Sequence, residues 1–80
     1  MKKFIINNNK IVFGDVKQHR DLASDHTTTE GGGLYITLSD TVVMYGESIE
    51  FGRARNDRIR ELILNRAYSE NFKGYLFKII

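Results

Sequence analysis

The sequence predicts one small domain, residues 1–80, of the α+β (α/β-like) class, with one main helix packed on a mixed sheet of four to five strands. Three observations lead to this prediction. Short runs of β-branched and aromatic residues are separated by turn residues, one segment repeats its apolar residues with a helical period, and a strand-like run follows that helix. A chain of 80 residues buries only about 60 to 65% of its unfolded surface, so we expect a single core and modest stability.

Two apolar runs at the start of the chain predict a β-hairpin. Phe4–Ile6 and Ile11–Phe13 are strand-like, and Asn7–Asn9 supplies the turn because Asn tolerates left-handed backbone angles. From residue 15 to residue 30 the apolar content falls, and only the stretch VKQHRDLA is suited to a turn or two of helix. This segment is predicted to be the most loop-like part of the chain.

A second hairpin is predicted after the three glycines at residues 31–33. Leu34–Leu38 and Thr41–Tyr45 are rich in β-branched and aromatic residues, and Ser39 and Asp40 separate them. The Val-Val-Met run at residues 42–44 does not alternate with polar residues, so this strand is predicted to be covered on both faces.

The strongest periodicity predicts a helix over Asn56–Ala67. Its apolar residues recur at i, i+3, i+4 and i+8, namely Ile59, Leu62, Ile63 and Ala67. Asn56 is suited to accept hydrogen bonds from the first-turn amides, and Asp57 complements the positive end of the helix dipole. Residues 75–80 form a last strand. Because a strand, a helix and a strand usually form a right-handed crossover, strands 41–45 and 75–80 are predicted to run parallel.

Composition excludes several classes of protein. The formal net charge is +2, from 12 basic and 10 acidic residues, a mild excess compared with a dedicated nucleic-acid binder. There is no cysteine, so neither a disulfide framework nor a thiol-based zinc site is possible. No apolar run approaches the ~20 residues of a membrane span. We therefore expect a cytoplasmic protein that does not associate with a membrane.

Arginines occur along the predicted helix and just before it, at positions 53, 55, 58, 60 and 66. Such a strip could contact nucleic acid or an acidic protein. Asp57 and Glu61 are interspersed with it, however, and this mixture of charges is typical of a solvated helix face. Nucleic acid is therefore not the expected partner.

The stretch YGESIEFGRA, residues 45–54, carries two glycines where a strand leads into a helix. Glycine allows positive φ, and successive amides in such a turn form a concavity that binds anions. The loop lies at the carboxyl end of a predicted strand and before a helix N-terminus, whose free N–H groups also favour anions. The pattern predicts either a phosphate-sized anion site or a wide connection without a ligand. It is not a Walker loop, because no GK[ST] follows.

Three motifs in order, QHRDL, GGGLYI and YGESIEFGRA, resemble the Janus/Ocnus family typified by phosphohistidine phosphatase. Members of that family carry a histidine in an HAD-like context, then GGGR, then YGxSxxYGPA. The resemblance covers about residues 17–67 and extends more loosely to the flanking strands. It implies a phosphohistidine phosphatase-like fold. It also implies removal of phosphate from phosphohistidine without a metal or organic cofactor, by one histidine and a loop of backbone amides.

The resemblance also implies which residues form the site. His19 is the candidate catalytic histidine, and Lys3 stands where the family has a phosphate-contacting lysine. The candidate phosphate loop is formed by Gly46, Glu47, Ser48, Ile49 and Glu50. A phosphorylated protein, or another protein, is the expected partner, and the oligomeric state stays open.

Departures from the family pattern bear on activity. Only eleven residues separate His19 from Gly31, too few for the full helix that family members have there. Glu50 replaces a small residue, and a carboxylate turned toward phosphate repels it by ~1 kcal/mol or more. Leu34 replaces arginine, while Arg53 replaces proline and could restore positive potential. These changes support a second hypothesis, a catalytically inactive interaction or regulatory module on the same fold, whose edge strands pair with another chain.

Histidine chemistry by itself is compatible with the phosphatase hypothesis. Imidazole titrates near neutrality and can act as a base, an acid or a nucleophile, while donors to the equatorial oxygens stabilise the phosphoryl group. His19 could equally be a surface histidine in a polar turn, which is also our interpretation of His26. Asp21 and Asp25 lie near the two histidines in sequence, but the spacing matches no metal-ligand motif, so no metal site is predicted.

Overall fold

The computed structural model describes all 80 residues and shows one five-stranded mixed sheet with one α-helix. The strands are β1 (Lys2–Asn7), β2 (Lys10–Asp15), β3 (Thr29–Leu38), β4 (Thr41–Tyr45) and β5 (Leu76–Ile79), and the helix is α1 (Asn56–Leu64). The spatial order is β2-β1-β3-β4-β5, and two short 3₁₀ helices, His19–Leu22 and His26–Thr28, lie between β2 and β3 in the chain. The predicted α+β class is confirmed. No helix is both long and apolar enough to cross a bilayer.

The β1–β2 hairpin closes at the predicted asparagines. The strands pair antiparallel along their whole length. Asn8 and Asn9 form the turn with φ angles of 52° and 60°, the left-handed conformation that asparagine tolerates. Asn7, predicted as a turn residue, is instead the buried last residue of β1.

The second hairpin is also present, with a longer first strand than predicted. β3 begins at Thr29 and includes the three glycines. It pairs antiparallel with β4 around a turn in which Ser39 has a φ of 52°. All three residues of the Val-Val-Met run at 42–44 are buried, as expected for a strand covered on both faces.

The helix α1 joins β4 to β5, and these two strands pair in parallel as predicted. α1 begins at Asn56 but ends at Leu64, earlier than the predicted Ala67. Arg66 takes a left-handed φ of 55°, and the Ala67 carbonyl accepts the amide N–H of Ile11 at 2.9 Å. The helix therefore stops early because the chain after it pairs with the outer edge of β2.

The predicted helix cap at Asn56 is wrong. Asn56 is already the first helical residue, and Arg55 occupies the N-cap position without a side-chain cap. The carboxylate of Asp57 accepts the Arg58 amide N–H at 2.9 Å, so a carboxylate in the first turn satisfies one of the free donors.

One side of the sheet, the helix face, packs against α1 and holds most of the core. Its buried cluster consists of Phe4, Ile6, Ile11, Phe13, Tyr35, Val42, Met44, Ala54, Ile59, Leu62 and Phe72. The Phe13 ring centroid lies 4.9 Å from that of Tyr35 and 5.2 Å from that of Phe72, both edge-to-face. This aromatic packing stabilises the domain beyond the apolar area that it buries.

The opposite side of the sheet, the cleft face, is covered in part by the segment 16–28, which contains no α-helix. The side chain of Asn7 attaches this segment to the sheet. Its Nδ2 donates to the Asp25 carbonyl at 2.7 Å, and its Oδ1 accepts the Ser24 amide N–H at 3.2 Å. A short polar segment therefore covers this side of the sheet and leaves part of it open.

Candidate functional site

A cleft of about 520 Å³ lies on the cleft face of the sheet. It is lined by Met1, Lys3, Gln18, His19, Arg20, Leu34, Glu47, Ile49 and Glu50. The fold thus brings the candidate histidine, the candidate lysine and three residues of the candidate phosphate loop to one place. Gly46 and Ser48 do not line the cleft.

His19 begins the short helix after β2 and is buried, with 6% of its surface exposed. Its Nε2 lies 2.8 Å from the carbonyl oxygen of Gly33. Because a carbonyl oxygen only accepts, Nε2 carries the hydrogen, and Nδ1 of the neutral ring is then an acceptor. Nδ1 makes no hydrogen bond within the chain, and no buried side-chain nitrogen lacks a partner, so Nδ1 is reached by solvent. His19 is therefore neither a surface histidine nor a fully enclosed one.

The position of the His19 ring depends on the absence of a side chain at Gly32. A Cβ atom there would lie 2.5 Å from the Phe4 carbonyl oxygen and 3.1 Å from Cδ2 of His19. Gly32 also exchanges backbone hydrogen bonds with the loop before α1, donating to the Gly52 carbonyl at 3.0 Å and accepting the Ala54 amide at 3.3 Å. The glycine run therefore allows the histidine ring and the loop to approach β3 closely.

The two glycines that bound the loop both have positive φ, 70° at Gly46 and 79° at Gly52. Between them Ser48 is 1% exposed and bonds only to the loop itself. Its amide donates to the Gly52 carbonyl at 3.3 Å, its carbonyl accepts the Gly52 amide at 2.8 Å, and its hydroxyl accepts the Phe51 amide at 3.0 Å. Ser48 therefore supports the loop from inside, and its amide is not available to a ligand.

Other amides of the loop are available. The backbone N–H groups of Glu47, Ile49 and Glu50 make no hydrogen bond within the chain, and all three residues are exposed and line the cleft. Free amides in a loop bounded by positive-φ glycines are suited to binding an anion. These three amides, and not that of Ser48, are the candidate donors.

The charged side chains of the cleft are balanced. Lys3 reaches over it, and its Nζ donates to the Lys17 carbonyl at 2.6 Å. The Glu50 carboxylate accepts the Arg20 amide at 3.4 Å and lies 3.7 Å from the Arg20 guanidinium. Two cations, Lys3 and Arg20, thus face two anions, Glu47 and Glu50, and the Arg20 contact offsets part of the repulsion that Glu50 would exert on a phosphate.

Arg20 is a cleft residue that sequence reasoning missed. It follows His19 directly, so the turn that carries the histidine into the cleft carries Arg20 with it. Arg53, which was expected to add positive potential, bonds elsewhere: its guanidinium donates to the Gly46 carbonyl at 3.3 Å and to the Ile80 carbonyl. It ties the start of the loop to the end of β5 and does not line the cleft.

His26 also lies outside the cleft. It is exposed, and its ring packs edge-to-face against Phe51 with the centroids 5.9 Å apart. The neighbouring Asp25 accepts the Thr27 hydroxyl and amide at 2.7 and 2.9 Å, and these hydrogen bonds hold the pKa of its carboxyl below the usual value. Asp25 and His26 therefore belong to the polar cover of the sheet, as an exposed turn.

Comparison of the chain with protein-family models, with curated proteins and with solved structures found no match. The resemblance to the Janus/Ocnus family therefore depends on the three quoted motifs alone.

Proposed function

We propose that this protein binds a phosphate group in the cleft and hydrolyses phosphohistidine in a protein substrate, on a phosphohistidine phosphatase-like fold. One observation carries the proposal. His19, with a solvent-accessible Nδ1, lines the same cleft as Lys3 and the free amides of residues 47, 49 and 50. An acceptor nitrogen and several N–H donors in one cleft are the minimal set of groups for phosphoryl transfer without a metal.

In the proposed reaction, water and a phosphohistidine side chain give histidine and inorganic phosphate. By one route Nδ1 of His19 attacks phosphorus, the P–N bond breaks, the leaving imidazole takes a proton from solvent, and water then hydrolyses the phosphorylated His19. By the other route Nδ1 takes a proton from the attacking water as the P–N bond breaks and passes that proton to the leaving imidazole. Both routes need Nδ1 free and Nε2 protonated. The Nε2–H bond to the Gly33 carbonyl holds the ring in that tautomer and stabilises the positive charge that develops on it.

In the proposed complex the amides of the loop and the Lys3 ammonium donate hydrogen bonds to the phosphoryl oxygens. In the transition state negative charge is spread over these oxygens, and preorganised donors in a partly closed cleft stabilise it. Glu47 and Glu50 oppose this effect, so we expect weak phosphate binding and slow turnover.

A second candidate function is a non-catalytic module that recognises phosphate in the same cleft. The balance of Lys3 and Arg20 against Glu47 and Glu50 favours it, because an efficient phosphatase benefits from net positive charge at the phosphate. Binding without turnover separates this candidate from the first.

Apolar residues beside the cleft favour a phosphohistidine protein over a small phosphoramidate as the substrate. Leu34 lines the cleft, and Ile36 and Leu38 follow it on the same face of β3, with 40% and 58% of their surfaces exposed. An apolar segment next to the phosphohistidine could cover these side chains. We therefore expect a phosphohistidine peptide with apolar flanking residues to be a better substrate than phosphoramidate.

The test uses a phosphohistidine peptide and two matched histidine variants. We expect His19→Gln to abolish phosphate release, since glutamine keeps an N–H donor for Gly33 but has no basic nitrogen, whereas His26→Gln leaves release unchanged. Phosphate titration followed by amide NMR should shift residues 47, 49 and 50. Loop shifts without any phosphate release by the wild-type protein would support the non-catalytic module. Neither release nor loop shifts would overturn both candidates.

A further inference from the structure

The outer edge of β5 is the open edge of the sheet. Leu76 and Ile80 donate their amides to the Asp40 and Met44 carbonyls at 2.8 and 2.9 Å, so these residues face β4. Because successive residues of a strand turn their N–H and C=O groups to opposite sides, Phe77 and Ile79 present theirs outward, where no strand pairs with them.

The other edge of the sheet is protected. The amide N–H of Ile11 in β2 donates to the Ala67 carbonyl at 2.9 Å, and the Ile11 carbonyl accepts the Ser69 amide at 2.9 Å. The Phe13 amide donates to the Ser69 hydroxyl at 2.9 Å. The segment after α1 thus covers β2, and nothing comparable covers β5.

Two adjoining grooves lie along β5, with volumes of about 460 and 390 Å³. Both are lined by Ile63 of α1 and Phe77 of β5. Leu64, 83% exposed, and Ile79 add to the apolar lining of the larger groove. The unpaired strand therefore has an apolar groove beside it on the helix face.

The same grooves are rimmed by four cationic side chains, Arg60, Arg66, Lys73 and Lys78. All four are exposed and none forms a salt bridge, in contrast to Arg58 of α1, which is paired with Glu30 and Glu61 at 2.9 Å. Glu70 is the one acidic residue in the lining. The open edge is therefore both apolar and positively charged.

We propose that β5 binds an extended segment of a partner protein in which acidic and apolar residues alternate, and that this segment adds a sixth strand to the sheet. The outward N–H and C=O groups of Phe77 and Ile79 supply the strand pairing. Side chains on the helix face of the added strand enter the groove beside Ile63 and Leu64. Acidic side chains at its alternate positions lie on the same face as Lys78, and acidic side chains at its ends reach Arg60, Arg66 and Lys73.

A second copy of this chain is a poorer occupant of the same edge. A two-fold contact between two β5 strands places the same surface on both sides of the interface, so the cations of one copy face those of the other. This repulsion acts against dimerisation through β5 and favours an acidic partner.

The experiment uses a blocked heptapeptide of alternating glutamate and valine, with an alternating lysine and valine peptide as its control. We expect the acidic peptide alone to bind, to shift the amide resonances of β5 and to slow hydrogen exchange at Phe77 and Ile79. The double variant R60E/K78E should weaken binding roughly tenfold or more, since each tenfold change in affinity corresponds to about 1.4 kcal/mol. R55E, a charge reversal at an exposed arginine outside the grooves, should leave affinity unchanged.

Three results would overturn the proposal. The first is equal binding of the two peptides, the second is an acidic peptide that shifts residues away from β5, and the third is no binding of that peptide at millimolar concentration. A concentration-dependent dimer in sedimentation whose β5 amides are protected without peptide would assign the edge to a second copy. The outcome is independent of phosphate release, because none of the groove residues lines the cleft.

Discussion

The helix face and the cleft face of the sheet differ in what covers them. On the helix face α1 and Phe72 bury a continuous layer of aromatic and aliphatic side chains. On the cleft face a polar segment is attached through Asn7, and the site residues lie beside exposed apolar positions such as Ile36. In a domain this small one well-packed face has to supply most of the stability, so the other is free to carry polar groups with unused hydrogen-bonding capacity.

The largest effect is expected from a substitution in the core of the helix face, which tests whether most of the stability resides there. Phe13→Ala removes a ring that packs edge-to-face against Tyr35 and Phe72, and we expect a loss of about 3–5 kcal/mol in the free energy of unfolding. That loss approaches the whole stability of a small domain. Urea unfolding measures it. Leu38→Ala, at an exposed position on the cleft face, is the control and should change stability by less than about 0.5 kcal/mol. Equal losses of unfolding free energy in the two variants would show that stability does not reside mainly on the helix face.

The next prediction concerns the close packing of the His19 ring and the Phe4 backbone against Gly32. Gly32→Ala places a Cβ against the Phe4 backbone, and we expect a cost of about 1–3 kcal/mol together with altered ring resonances of His19. Gly14→Ala is the matched control in β2, because its one close contact, at 2.6 Å, is with the flexible end of Leu22 and not with backbone. A Gly32→Ala protein with wild-type stability and an unmoved His19 would show that β3 does not need its glycine there.

A smaller effect concerns the electrostatic balance of the cleft. Glu50→Gln removes one of two anions and frees Arg20 from its carboxylate, so phosphate affinity should increase by about 1 kcal/mol, or roughly fivefold. Amide NMR titration with inorganic phosphate measures the change, and Glu61→Gln on α1 serves as a charge-matched control. Unchanged or weaker binding would mean that the phosphate does not approach Glu50.

The smallest effect is a pH dependence confined to the helix face. Burial, aided by the charges of Glu70 and Asp15, raises the pKa of Tyr35 above its usual 10.0. The folded state therefore favours the neutral phenol, and this contribution to stability is present below pH 10 and lost as pH rises through the higher folded pKa. Urea unfolding at pH 9 and pH 11 should show a steeper decline for the wild-type protein than for Tyr35→Phe. If the free energy of unfolding fell equally in the two proteins, the raised pKa of Tyr35 would not contribute to the pH dependence.

Much of the fold could be predicted from the sequence because the signals are local. Asn8 and Asn9 tolerate the left-handed angles that the turn needs, and the apolar period of α1 is set by residues three and four positions apart. The parallel pairing of β4 and β5 followed from the order strand, helix, strand. The family resemblance also indicated His19, Lys3 and three loop residues that line one cleft.

Contacts between distant residues decided the rest. α1 ends at Leu64 because the Ala67 carbonyl pairs with Ile11, and no property of residues 65–67 alone indicates this. Whether Ser48 faces a ligand or the interior depends on hydrogen bonds that the sequence does not display, and here it faces the interior. The sequence by itself determined which elements form and which residues can perform chemistry. Only the tertiary structure decided which donors and acceptors stay free, because a hydrogen bond formed inside the fold removes its partners from any other use.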